Sequence, residues 1–384
     1  MNSKFLIYAL LLLGPLALAG GDRQDFDKNF TETFRIGADG DVRIHNRYGS
    51  IRVETWDRPE VKFDVRVRVS AEDQEHADRV FDRIQISFSG GGNGASAITS
   101  IGTSDRKQKG FFSSLLSGEW PFSGSWSSDG SNDFKITYTV RMPATANLET
   151  EAKYCDVTLP DLSGNTQLNV AYGNLVAGDL TGRAEISTSY GSARVDQLGD
   201  NSVFRVRYCD DNVIREATNL RYDGRYSETE IGTVDRLTVS AGYEEVEIDR
   251  VGELRFEGNY NDLDVRLAER VFFDGNYCDV AIGEVSRELE VDASYGDLEV
   301  NDLRAGFERV YVRTSYTDVE IDINNAAGYE FQLSARYGSL NFDKQRAKAT
   351  VETSGQTKSA RGRMPGTGSG RVDISTSYGD INLE

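Results

Sequence analysis

Histidine is almost missing from this 384-residue chain: His45 and His76 are the only two. Neither belongs to a Ser-His-Asp or Cys-His pattern, and no residue cluster has zinc-ligand spacing. Nucleophile–base catalysis and a histidine-rich metal centre therefore have no visible basis. Proline is also scarce, at six residues, beside 38 glycines and abundant Val, Ile, Thr, Tyr and Phe, which favours strands. Basic residues are outnumbered 43 to 62 by acids, giving a net charge of −19. Such a chain repels nucleic acid and anionic membrane surfaces, so neither is expected as a partner. Acidity by itself serves solubility more often than a ligand site.

No long apolar run follows the first 19 residues, so no membrane span is expected. Those 19 read as a secretory signal: Lys4, an apolar stretch from Phe5 to Leu18, and Ala17-Leu18-Ala19 as a small-x-small cleavage site. Gly14-Pro15 and the short length argue against a span. No cysteine follows the cleavage site, so no lipid attachment is expected. The mature chain is thus expected to be exported, to the periplasm or cell surface, with a charge of about −20 once Lys4 is removed.

What the chain does have is a beat. Tyr154, Tyr172, Tyr190, Tyr208, Tyr226, Tyr243, Tyr260, Tyr277, Tyr295, Tyr316 and Tyr337 are separated by 17 to 21 residues, with Tyr48 and Tyr378 as outliers at either end. A fixed period of this size marks a stacked-repeat architecture. Four residues before most of the tyrosines stands an apolar residue, as at Leu168, Ile186, Phe204, Tyr222, Val239, Phe256, Phe273, Val291, Val312, Leu333 and Ile374. Two before it the residue is mostly small. After the tyrosine the apolar positions fall at plus three and plus five, as in Val246/Ile248 and Leu298/Val300, so parity slips by one. Side chains alternate with period two along a strand, so a slip requires a bend or bulge. The following residue, often glycine, is the natural place for it. Each turn is then strand, bend at Tyr-Gly, strand and return corner, and turns must stack to form a core. The fold class expected is all-β, a β-solenoid of 17–21-residue turns, forming a rod of about 50 Å at ordinary strand spacing.

The register also bears on the cysteines. Cys155, Cys209 and Cys278 each follow a ladder tyrosine, three and four turns apart, or about 14 and 19 Å at ordinary strand spacing. A disulfide needs Cα atoms within about 7 Å, so three unpaired buried thiols are expected. The tyrosines share the inward parity of the apolar positions, which places them in a buried stack; the alternative is an exposed row that holds sugars by ring stacking.

The domain organisation expected is a signal at 1–19, N-terminal strands and a helix at 20–88, an insertion at 89–132 and repeats at 133–384. Residues 26–70 alternate strongly, and Ala71 to Ile84 carries a helical pattern with Ala77, Val80, Phe81 and Ile84 on one face. That helix is expected to cap the open end of the stack. The 89–132 stretch is Gly/Ser-rich around Phe111, Phe112, Leu115, Leu116, Trp120, Phe122 and Trp126. These are the candidate partner contacts if the loop is exposed; otherwise it folds over the flank of the repeat. Residues 344–371 are basic and Gly-rich and are expected to form a mobile loop within the repeats.

Carboxylates recur two residues after the tyrosine: Asp156, Asp210, Glu228, Glu245, Asp262, Asp279, Asp297, Asp318 and Asp380. They point outward as a ladder, and stacked acids must be offset by cations, arginines or hydration. The nine-residue Gly-Gly-x-Gly-x-Asp pattern of calcium β-rolls is absent, which favours a solvated corner over calcium. No catalytic, cofactor-binding or metal-ligating residue is assigned.

Tyr48-Gly49-Ser50-Ile51-Arg52-Val53 with Trp56-Asp57, a short helix, Val140-Arg141-Met142-Pro143 and then repeated Tyr-Gly-Asp-Leu-Glu-Val-like units resemble the "putative adhesin" β-strand-repeat family, DUF4097. The resemblance spans most of the chain and implies a β-helix-like solenoid in exported bacterial proteins. It brings no established activity and no catalytic residues. The function expected is a non-enzymatic, adhesin-like or envelope scaffold protein that meets a protein or glycan partner without cofactor. Two alternatives are a carbohydrate-active β-helix using the corner carboxylates and a cation-stabilised rod.

Overall fold

The computed structural model describes residues 23–102 and 134–384. The expected signal at 1–19 and the aromatic segment from Phe111 to Trp126 lie outside the described residues. The chain forms two compact units, Met1–Val157 and Thr158–Glu384.

In the first unit, β1 (Gln24–Arg35) runs antiparallel to β3 (Glu60–Ala71), and β3 runs antiparallel to β6 (Phe134–Met142). Between them in sequence, β2 (Asp41–Thr55) serves two partners. Its first half pairs in parallel with β5 (Gly94–Ile101), and its second half pairs in parallel with β6. The change of partner falls at Tyr48, whose φ is +62°. The β2 strand is therefore one repeat-like turn with a tyrosine corner. The alternation of Val61, Phe63, Val65, Val67 and Val69 puts all five in the core.

Helix α1 (Gln74–Phe81) starts where the Asp73 carboxylate accepts from the His76 backbone N–H, capping a free donor of the first turn. It buries Ala77 and Phe81 and packs on β1, β3 and the hairpin strand β4 (Ile84–Gly91), within its own unit. The β4–β5 hairpin occupies residues 84–101, so the first part of the expected 89–132 insertion is regular sheet. The unit's last strand is β7 (Asn147–Leu159), which pairs with β2.

In the second unit the turns stack in parallel. The strands β8 (Thr166–Ala171), β10 (Ala184–Ser189) and β12 (Ser202–Arg207) lie one above the next, as do β9 (Leu175–Leu180) and β11 (Ala193–Leu198). Several further turns follow with unbroken pairing from Asn212 to Leu303 (β13), the chain turning left-handed at Tyr226, Tyr243, Tyr260, Tyr277 and Tyr295 within it. Register matches Leu168 to Ile186, Ile186 to Phe204 and Phe204 to Tyr222, all fully buried. The plus-three and plus-five residues, such as Val246 and Ile248, are buried on the other side of the bend. The solenoid expected from the repeat is the fold observed.

The end of the stack departs from sequence order. After β13 come β14 (Arg309–Ile323), β15 (Ala327–Arg336) and the short β16 (Leu340–Asn341). The last strands, β19 (Thr367–Ser377) and β20 (Ile381–Leu383), slide between them: β19 pairs in parallel with both β14 and β15, and β20 with both β14 and β16. The buried column then reads Val312, Ile374, Leu333. Tyr378 is thus no outlier but the rung between Tyr316 and Tyr337.

The expected loop at 344–371 is also corrected. Residues 348–364 form an antiparallel hairpin of β17 (Lys348–Ser354) and β18 (Thr357–Met364), turning at Gly355 with φ +61°. β18 pairs antiparallel with β15 and buries Ala360 and Met364. β17 is exposed along its whole length and carries Lys348 and Glu352, charges that blunt an edge against further pairing. Short alternation in a basic segment gave no strand signal strong enough to override its Gly-rich composition.

Candidate functional site

Every ladder tyrosine has a left-handed backbone, with φ between +55° and +62°. This overturns both expectations for the bend. The tyrosine itself makes the turn, and its ring points outward, 41–51 % exposed in the repeat turns. A left-handed non-glycine residue costs about 1–2 kcal/mol. The stack supplies the compensation. Within the second unit, rings follow one another from Tyr172 to Tyr316 with centroids 4.7–5.1 Å apart and planes within 10°. Tyr378 and Tyr337 continue it at 4.7 Å each. Parallel strands repeat at about 4.8 Å, which is also a ring-stacking distance, so one side chain repeated every turn fits its own copy.

That geometry decides what the ladder can do. Both faces of an interior ring are covered by its neighbours, so only edges and hydroxyls meet solvent. A sugar cannot lie flat on such rings. The exposed row that would hold sugars by stacking is therefore not presented along the ladder.

The residue after the tyrosine points inward. Cys155, Cys209 and Cys278 are buried and free, as the register required. Burial pushes the Cys155 thiol up to about 12 and raises Cys278 as well. In the intervening turns the same slot holds Ser227, Glu244 and Asn261, all buried. These accept from neighbouring backbone: Cys209 N–H donates to Ser227 Oγ (3.1 Å) and Glu244 N–H to Asn261 Oδ1 (3.0 Å).

Where the following turn carries Tyr-Gly, the acceptor comes instead from the residue two after the tyrosine. Asn174 Oδ1 accepts from Ser192 N–H (3.1 Å) and Asp279 Oδ1 from Asp297 N–H (3.1 Å). Asp318 Oδ1 accepts from Asp380 N–H (2.8 Å), and Asp380 Oδ1 from Ser339 N–H (2.8 Å). The left-handed corner interrupts the backbone ladder, and these side chains restore it. Part of the acidic ladder is thus a row of corner clamps rather than merely solvated charge.

Carboxylates, the clamp Asp279 among them, also form an acidic face. Glu245, Glu247, Asp262, Asp264, Asp279, Asp297 and Glu299 border an open groove of about 420 Å³ floored by Val246, Leu263, Val280 and Ala281. No basic residue lines it. Burial, with Asp264, Glu245, Glu230 and Glu228 nearby, raises the Glu247 carboxyl above the usual range. Several arginines elsewhere are held in pairs, such as Arg266–Asp249 (2.8 Å) and Arg287–Glu308 (2.5 Å). Tyrosine edges flank the same acids, with Tyr226, Tyr243 and Tyr260 beside Glu228, Glu245 and Asp262.

One group of metal-competent side chains stands apart, on the first unit: His45, Glu149 and Glu151. No ligand motif announced it. The tyrosine register could have, since His45 and Glu151 both lie three residues before a ladder tyrosine, Tyr48 and Tyr154. The candidate contacts Phe111, Phe112, Leu115, Leu116, Trp120, Phe122 and Trp126 lie outside the described residues. Among the described residues, no helix is long and apolar enough to cross a membrane.

No curated protein matches the chain. Among the solved structures that align with it are two from bacteria. One is a "putative cell adhesion protein" from Clostridium sporogenes ATCC 15579, at 9 % identity over 93 % of this chain and 99 % of that one, with a TM-score of 0.17. The other is a "putative lipid binding protein" from Parabacteroides distasonis ATCC 8503, at 12 % identity over 93 % and 96 %, with a TM-score of 0.25. The family model described as Toastrack DUF4097 matches residues 125–384, which carry the tyrosine-cornered turns from Tyr154 to Tyr378, and the chain belongs to that family.

Proposed function

We infer that this protein is a non-enzymatic, exported scaffold of adhesin-like type that presents a rigid acidic face, and the 111–126 aromatic segment, to an envelope partner. The observation behind this reading is how the repeat positions are spent. Tyrosine rings stack on one another, the next residue is buried, and the Asx after it clamps the following corner. What is left outward includes a groove lined by carboxylates on a stiff lattice, suited to recognition by charge and shape. Export rests on the 1–19 segment, whose pattern is that of a cleaved signal.

The carbohydrate-active alternative needs two carboxylates at a working separation beside a sugar-holding surface. The stacked rings offer no such platform. The test is a pair of assays on purified protein. Pull-down from envelope extracts is expected to recover a partner that is lost when residues 111–126 are deleted or when Glu245, Glu247, Asp262 and Asp264 are changed to Asn or Gln. Incubation with a panel of neutral and acidic glycans is expected to give no turnover. Turnover abolished by Asp262→Asn or Asp279→Asn overturns the scaffold reading.

A further inference from the structure

The parallel pairing of β2 with β7 is held at its start by Asn147, whose side-chain amide donates to Asp41 Oδ1 at 2.9 Å. Two residues on, Arg43 Nε donates to Glu149 Oε2 at 2.7 Å, and both links span the same 106 residues. That stagger carries forward to place Tyr154 on Tyr48, ring centroids 5.0 Å apart. At the rung between lies His45, beside Glu151 and diagonal to Glu149. All three are half-buried on the outward face, and their ligand atoms lie within 4.8 Å of one another.

The chemistry of the group is that of a cation site. Burial holds the His45 imidazole below its usual range, with Glu149 opposing and Arg43 adding to the effect. Burial and the neighbouring Glu149 raise the Glu151 carboxyl. A divalent ion between the two carboxylates offsets their mutual repulsion, and an imidazole nitrogen supplies a third ligand atom. Arg43 holds one oxygen of Glu149, which leaves the other to ligate; outer partners of this kind orient metal-binding carboxylates. On the opposite flank of β2, His45 pairs with Ile98 and Arg43 with Ser96, so β5 brings no competing charge. Ligand atoms bound at about 2.0–2.2 Å sit roughly 3–3.5 Å apart. Closing from the present spacing needs about 1 Å of side-chain movement on fixed strands.

We propose that His45, Glu149 and Glu151 form a binding site for a first-row divalent transition metal, best matched by Zn²⁺, with water completing the shell on the open side. One nitrogen and two carboxylate oxygens suit zinc, whereas calcium and magnesium favour all-oxygen sets. Its residues are distinct from those that line the acidic groove of the repeats.

The test is isothermal titration of the tag-free full-length chain with ZnCl₂, and with CaCl₂ in parallel. One zinc-specific site is expected. His45→Ala and Glu151→Gln each weaken it about tenfold or more. His76→Ala leaves it unchanged, because His76 is on α1. Circular dichroism of each variant confirms that the sheet is intact. Equal zinc affinity in the wild type and His45→Ala overturns the proposal, as does loss of binding in His76→Ala or equal competition by calcium.

Discussion

Glu244 is a carboxyl in the wrong place for a soluble acid: it occupies the inward slot after Tyr243 and is 3 % exposed. Room for it exists because Gly224 has no side chain; a Cβ there would strike the Glu244 Oε2 oxygen. The Tyr222 hydroxyl donates to Oε2 at 2.5 Å and also meets Thr229 Oγ1 at 2.8 Å. Oε1 has no hydrogen-bond partner among the described residues. Burial raises this carboxyl to about 7, against the lowering effects of Tyr222, Ser227 and Arg225. An acid whose folded value lies above its unfolded value of 4.5 favours the folded state when protonated. Its stabilising contribution is present below about pH 4.5 and is lost as pH rises towards 7. A difference of 2.5 units corresponds to about 3 kcal/mol, taking 1.36 kcal/mol per unit. Glu244→Gln keeps the shape and the acceptor for Tyr222 but removes the titration. Urea denaturation of both proteins at pH 4.5 and pH 8 is the assay. The variant is expected to match the wild type at pH 4.5 and to exceed it by about 3 kcal/mol at pH 8. A wild-type minus variant difference that stays constant across this range refutes the reasoning.

Tyr260 tests the corner. It stacks on Tyr243 and Tyr277 at 4.8 and 4.9 Å with φ +61°. Tyr260→Ala is expected to cost about 1–3 kcal/mol for two lost stacks, and Tyr260→Gly about 0.5–1 kcal/mol less because glycine accepts the left-handed backbone. Urea midpoints that rank alanine at or above glycine count against a strained corner. The thiols are expected to resist a chromogenic disulfide reagent at pH 8 because all three are buried, Cys155 also because a thiol titrating near 12 is about 10⁻⁴ ionised there, and all three are expected to react in denaturing guanidinium. Fast labelling of the native protein would contradict their burial. Removal of residues 367–384 strips Val372, Ile374, Ile381 and Leu383 from the core. Hydrogen exchange is expected to show loss of protection through 327–364; unchanged protection there means the inserted strand is dispensable.

Most of the frame was legible because the repeat writes it many times over. The column from Leu168 to Tyr222, and Val291 on Val312, follows from spacing alone and is the register found, and the cysteine slots follow from it. The bend was located to within one residue and then given to the wrong one. A parity slip looks the same in sequence whether Tyr243 or the residue after it turns left-handed, and general preference favours glycine or asparagine over tyrosine there. Assigning the turn to the neighbour put the ring inside, and the functional weighing of the tyrosines went with it. The order of the final rungs was illegible for another reason. Parallel pairing between β14 and β19 leaves no local mark, and the 41 residues from Tyr337 to Tyr378 conceal a step backwards in the stack. His45 and Glu151 shared a slot in plain view, yet a single histidine among strands is ordinary until its neighbours are known.

The position of β19 and β20 has a consequence for how the chain is assembled. A stack whose rungs follow sequence order can zip up as it emerges, each turn templating the next. Here the turn beginning at Ala327 has no surface to settle on until a segment some forty residues later has arrived beneath it. Growth that is sequential up to Ile323 must pause there, and the final rungs close together in one step. The last rungs of the solenoid thus behave as a latch, set by the final residues of the chain.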